Sequence, residues 1–228
     1  MPLITARWRV PALVAVGAAV AVVAALGTLT YRSANTPFDN WVVVRLIRHV
    51  GPTGARIMID LSTPALSIGI LAAVAVGAVI ARRWDLLALT VIGPALAVLV
   101  SEEVLKPVVG RLAGPFVYVG STVAAEPGAF PSGHETGVVA AALVLLLVAG
   151  QLRMRTGWRV LLWVLLAAWT VVAALGLVRN FYHYATDTIG GLGVSVAVVL
   201  ATALVIDRVR KPVSSPDVRS LASTSRGA

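Results

Sequence analysis

Six stretches of this 228-residue chain are long and apolar enough to cross a lipid bilayer, and that leaves few folds open. They lie at about 10–30, 62–81, 84–104, 133–152, 158–178 and 187–206, each near the roughly 20 residues that a spanning helix needs. In the hydrocarbon every backbone N–H and C=O must be satisfied within the protein, so helices are the expected solution. The expectation is an all-α integral membrane bundle of six transmembrane helices over residues 1–207. A Ser-, Arg- and Pro-rich tail at 208–228 reads as solvated and disordered. A charged fraction of only 13% fits a chain whose surface faces lipid. The third run is the least clean, because Pro94 interrupts it and Ser101, Glu102 and Glu103 close it. The first has the basic start of a secretory leader but exceeds the roughly 7–15 residues of a leader's apolar region, so it is read as a span. Between the first two runs, Thr36 to Asp39 resembles a helix cap and Gly51-Pro52 a stop. Residues 38–50 are therefore read as an amphipathic helix on the outer surface, with His49 at the interface.

The formal charge of +9 is unevenly distributed. With six spans, the face holding both termini carries twelve Lys and Arg against three Asp, and the opposite face seven against seven. The whole excess lies on one side, which the positive-inside rule makes cytoplasmic. The basic balance is thus a signal of topology with a minor role in contact with anionic lipid, and nucleic-acid binding is excluded. With no Cys, there is no thiolate nucleophile and no Cys-ligated zinc, and any chemistry must come from His, Asp, Glu, Ser, Lys or Arg.

Three polar islands fall on the outer face. In VLKPVVGR, Lys106 and Arg111 fit two readings: cations that snorkel to head groups, or a pair turned by Pro107 and Gly110 onto one anion. Glu102, four residues before Lys106, is placed to neutralise it. In FPSGHETG, Ser132 and Glu135 form a capping-box pattern at the start of the fourth run. A cap does not require Gly133 or His134, whereas an anion site at the first-turn N–H groups would use both: Gly133 lets the anion approach, and His134 is placed to protonate it. In RNFYHYATDTIGG, His183 and Asp187 are four apart, so on a helix they would share a face. Asp187 would then accept from one imidazole nitrogen and leave the other as base or nucleophile. Arg179 precedes His183 by four and would face the same pocket. An interfacial cluster with the belt residues Phe181, Tyr182 and Tyr184 is the other reading.

Lys and Arg, then PSGH, then Arg and His-x-x-x-Asp, in this order and on one membrane face, resemble the type 2 phosphatidic acid phosphatase (PAP2) family, whose site is similar to that of vanadium haloperoxidases. The resemblance spans about residues 60–206, with HYATDTIGG similar to the family's last motif. It implies metal-free, cofactor-free hydrolysis of a lipid phosphate ester or diphosphate through a phosphohistidine. His183 would be the nucleophile oriented by Asp187, His134 the acid and then base, and Lys106, Arg111, Ser132, Gly133 and Arg179 the phosphate ligands.

Two departures stand out. The family's first motif is Lys, six residues, then Arg-Pro, where this chain has Ala113-Gly114. The usual Ser-Arg before the last His is here Gly176-Leu177. Arg111 and Arg179 are the substitutes expected from the residues available. Substrates that fit are polyprenyl diphosphate, phosphatidate, phosphatidylglycerophosphate and phosphorylated prenyl sugars. The Ala-, Val- and Arg-rich, Lys-poor composition points to a bacterial cytoplasmic membrane and to cell-envelope lipid metabolism. The alternative is a catalytically impaired member that kept the fold and serves lipid binding or complex assembly. A transporter is disfavoured, because the spans carry almost no charges to mark a pathway.

Overall fold

The computed structural model describes residues 2–33, 35–112, 128–152 and 154–210. Ala113, Gly114, Glu126, Arg153 and the tail beyond Arg210 lie outside them. Among the described residues all regular secondary structure is helical: α1 (Ala6–Leu29), α2 (Pro37–His49), α3 (Pro52–Asp60), α4 (Pro64–Ile80), α5 (Trp84–Leu99), a π-helical turn (Val100–Leu105), α6 (Lys106–Val109), α7 (Gly133–Ala149), α8 (Thr156–Arg179) and α9 (Ala185–Val209). Among the described residues five helical stretches are long and apolar enough to cross a membrane: Ala6–Leu29, Pro52–Ile80, Trp84–Val109, Thr156–Arg179 and Ala185–Val209. The fourth expected span is the shorter apolar helix α7, whose 17 residues measure about 26 Å. The second span begins ten residues earlier than the apolar run, because α3 leads into α4. Pro94 does not end the third: α5 continues through it, with Gly93 and Pro94 buried, as neighbouring helices permit in a membrane bundle.

Helix α9 is the centre, packed against α1, α5 and α7. Its sequence explains why. Where α1 and α8 expose large side chains such as Val10, Leu13, Leu161 and Val164 to lipid, α9 offers Gly190, Gly191, Gly193 and Ala197, all buried. Small residues let helix backbones approach closely when lipid supplies no hydrophobic drive. A Cβ on Gly191 would lie 2.6 Å from the Ser132 carbonyl oxygen, so only glycine allows α7 to start so near α9. The contact is tied by Ser195 Oγ, which donates to the Thr136 carbonyl at 2.7 Å.

Two polar clusters cap opposite ends of the bundle. At the end holding the N-terminus, Asp207 accepts from the backbone N–H of Leu3 and Ile4 at 2.7 and 2.8 Å, and Asp85 pairs with Arg83 and Arg210. Arg208 and Arg210 therefore belong to the structured end of α9 rather than to a tail starting at 208. The other end of α9, about 37 Å away along 25 residues, carries Asp187 in its first turn, with His183 just before it.

Candidate active site

Helix α7 starts as its sequence suggests on one side only. Ser132 Oγ accepts from the Glu135 N–H at 3.2 Å, which caps the helix. The reciprocal half of the expected box is not made: the Ser132 N–H donates instead to the Asp187 carbonyl at 3.0 Å. That bond binds the start of α7 to the first turn of α9. Glu135 is left buried with Oε2 unpartnered among the described residues. Phe130, fully buried, lies against Gly190, where a Cβ would come within 2.5 Å of the ring.

His183 stands before α9 rather than on it, in the short connection from α8. That connection turns through Phe181 at φ +63°, a left-handed conformation that disfavours non-glycine residues by roughly 1–2 kcal/mol. The imidazole is 9% exposed, and its Nδ1 lies 3.1 Å from the Ala129 carbonyl oxygen. A carbonyl can only accept, so Nδ1 carries a proton, and in the neutral ring Nε2 keeps its lone pair. Asp187, expected to accept that proton, lies 3.7 Å from Nδ1, beyond hydrogen-bonding distance. It acts on the ring by charge, and the orienting acceptor that sequence reasoning missed is the Ala129 carbonyl. The His134 and His183 ring centroids are 6.1 Å apart, and Tyr182 packs edge-on against His134 at 6.3 Å.

Arg111, expected over the phosphate, has buried protein partners instead of an open guanidinium face. Its side chain is fully buried, with NH1 on Asp187 Oδ1 and Thr186 Oγ1, NH2 on Asp39 Oδ2 at 2.7 Å, and the guanidinium 4.0 Å over the Tyr184 ring. Its carbonyl accepts from the Gly128 and Ala129 N–H groups at 2.8 and 3.1 Å. One residue thus positions both groups that act on His183: Asp187 through its side chain and Ala129 through its backbone. Asp39 completes the hub, accepting from the Thr186 N–H at 2.9 Å and sharing a full capping box with Thr36. Burial raises the Asp39 pKa, but the hydrogen bonds from Thr186, Thr36 and Arg111 outweigh it and hold the carboxyl below its ordinary value. Sequence reasoning read Thr36-x-x-Asp39 as a helix start and missed its second partner.

Lys106 Nζ pairs with Glu102 Oε2 at 2.6 Å. The charges of both residues act on His134, so Lys106 belongs to the same polar end. Arg179 donates from Nε to the Val50 carbonyl at 3.0 Å. The two residues standing where the family has Ser-Arg have structural reasons to differ. A Cβ on Gly176 would come within 2.6 Å of the Met58 backbone on α3. Leu177 is fully buried, and its carbonyl accepts from the Tyr182 N–H at 2.9 Å.

Comparison with known proteins bears on the fold and the family. No curated protein matches the sequence. In three dimensions the chain resembles a transmembrane PAP2-type phosphatidylglycerolphosphate phosphatase from Bacillus subtilis. The TM-score is 0.67 and the identity 14%, over 87% of this chain and 98% of that one, a likeness of fold. A family model, the PAP2 superfamily, matches residues 84–211, more than half of the chain and all of its histidine-bearing islands. This integral membrane helix bundle belongs to the PAP2 superfamily.

Proposed function

We propose that the protein hydrolyses the phosphate ester or diphosphate of a membrane lipid through a phosphohistidine, without metal. The observation that carries this reading is the pair of imidazoles 6.1 Å apart at a capped helix start, with His183 Nδ1 held by a carbonyl and Nε2 left as nucleophile. The His183 Nε2 lone pair attacks phosphorus, and the P–O bond to the lipid breaks. His134 delivers its proton to the leaving oxygen, which departs as an alcohol or a phosphate. Water then attacks the phosphoryl group, His134 takes its proton, the N–P bond breaks and inorganic phosphate is released. Positive charge growing on His183 is stabilised by Asp187, while Lys106, Ser132 and the Gly133 N–H at the α7 start hold the phosphoryl oxygens. Arg111 acts as a positioning residue, and Arg179, whose Nε donates to the Val50 carbonyl, is a further ligand for the phosphate.

An amphiphilic substrate suits the surroundings. An apolar groove of about 590 Å³ runs between α1 and α9, lined by Val23, Gly27, Leu105, Val109, Phe130 and Val198. Leu105 and Phe130 adjoin the Lys106 and PSGH segments, so a tail lying there would leave its phosphate at the histidines. The charge asymmetry supports an outer-face site. It predicts that a membrane-impermeant maleimide leaves Thr156→Cys, at the first residue of α8, unlabelled in intact cells; labelling there would reverse the orientation.

The direct test is phosphate release by purified protein from the four candidate lipids with EDTA present. The wild type should turn over at least one, and His183→Ala none while remaining folded in detergent. A wild type that binds these lipids and releases no phosphate would favour the catalytically impaired alternative, which the burial of Arg111 between Asp39 and Asp187 supports.

A further inference from the structure

The Glu102 side chain has no place in the mechanism above, yet it sits in the seat assigned to the substrate phosphate. The π-helical turn Val100–Leu105 interrupts the third span between α5 and α6, and such turns recur where a helix must re-aim a side chain at a functional site. Here the turn aims Glu102 at the first residue of α7. A Cβ on Gly133 would overlap Glu102 Oε1, so the carboxylate lies against the bare Cα of that glycine. Its other oxygen, Oε2, takes Lys106 Nζ at 2.6 Å. One carboxylate oxygen against the first residue of α7 and the other on Lys106 put a negative charge where the seat would hold phosphate oxygens, and one of its contacts, the lysine, is a contact the phosphate would make.

The exposures show which acids at this end of the bundle are able to leave. Asp39 and Asp187 are 2% and 0% exposed and locked to Arg111, whereas the Glu102 side chain is 36% exposed and bonded to a flexible lysine. We infer that Glu102 is an internal competitor for the phosphate seat, displaced by a membrane-anchored substrate and returning to expel the inorganic phosphate product. This rests on the reading of the site as a phosphate seat. The competition favours substrate over product for a physical reason. A lipid phosphate is held at the site by its tail, so its effective concentration offsets the carboxylate, while free phosphate has no tail and meets an anion already in place. Specificity would then come from repulsion as much as from attraction.

The test is direct binding of orthophosphate and of vanadate to the detergent-solubilised full chain, followed by calorimetry, for wild type, Glu102→Gln, Glu102→Asp and the neighbouring exposed Glu103→Gln. Glu102→Gln should bind either anion about tenfold or more tightly, as expected when a like charge is removed from the seat. Glu102→Asp, too short to reach Gly133, should also bind more tightly, and Glu103→Gln should match the wild type. In turnover, Glu102→Gln should show phosphate inhibition at correspondingly lower concentration. Equal or weaker anion binding by both Glu102 variants overturns the competitor and leaves the seat standing, with Glu102 merely holding Lys106. Failure of all four proteins to bind either anion overturns the seat itself, and the proposed function with it.

Discussion

The two histidines stand in walls of very different construction. Around His183 nearly every polar group is buried and committed: Arg111 spans Asp39, Asp187 and Thr186, and the Ala129 carbonyl fixes the ring. Around His134 the groups are half-exposed, and the ion pair of Lys106 with Glu102 joins two flexible side chains four residues apart. A nucleophile must be held in one tautomer and one direction, which a closed network of buried bonds provides. A proton donor and a phosphate clamp must admit a charged group and let it go, which an exposed ion pair permits because it contributes little stability.

Breaking the rigid wall at its reacting atom should have the largest effect. His183→Ala should reduce lipid phosphate hydrolysis to background, measured as phosphate release. On the open wall, His134→Ala should lower the rate by about 10² to 10⁴ with an ordinary lipid alcohol as leaving group. In the first step, followed as the burst of nitrophenol, the loss should be much smaller with a nitrophenyl ester, whose leaving oxygen needs no proton. Equal losses on both substrates would make His134 a binding group.

The stability of the two walls should differ as sharply. Arg111→Ala leaves two buried carboxylates without their cation and should destabilise the protein by about 3–5 kcal/mol in detergent unfolding. Arg111→Lys should recover little of this, since one ammonium cannot replace a fork that reaches Asp39, Thr186 and Asp187 together. Lys106→Ala should change stability by about 1 kcal/mol or less.

The smallest effect is a pH dependence. The Asp39 carboxyl is held below its ordinary value, so its contribution is fully present above the unfolded-state pKa of about 3.9. It is lost as pH falls through the folded value. The melting temperature of the wild type should exceed that of Asp39→Asn near neutrality, and the gap should close below about pH 4. A gap that persists unchanged into acid would mean that the Asp39 charge is not what binds α2 to α9.

What was legible in the sequence follows the same division. Bilayer-length apolar runs announce themselves because each is a local property, and so does the cap at Ser132. The i, i+4 spacing of Glu102 and Lys106 also announced their pairing, although the turn between them is π-helical. The rigid wall was harder to read because its partners are remote. Arg111 meets Asp39 and Asp187 across 72 and 76 residues, and no spacing rule chooses between a buried counter-ion and a bound phosphate. The His183–Asp187 spacing was read as helical, but α9 begins at Ala185, so the two side chains do not share a helical face. Ser132 and Glu135 match a capping box, yet the Asp187 carbonyl took the Ser132 N–H, a competitor that only the packing of α7 on α9 creates.

The central claim is that the closed wall holds His183 as the nucleophile while the open wall handles protons and phosphate. It is tested most directly by trapping the intermediate. His134→Ala given a ³²P-labelled nitrophenyl phosphate should still form the N–P bond but hydrolyse it slowly, because no base activates the water. After rapid quenching in base, the label should be protein-bound, stable to alkali, labile to acid, and located by peptide mapping at His183. Label absent from the protein, stable to acid, or found at a residue other than His183 would contradict this division of roles.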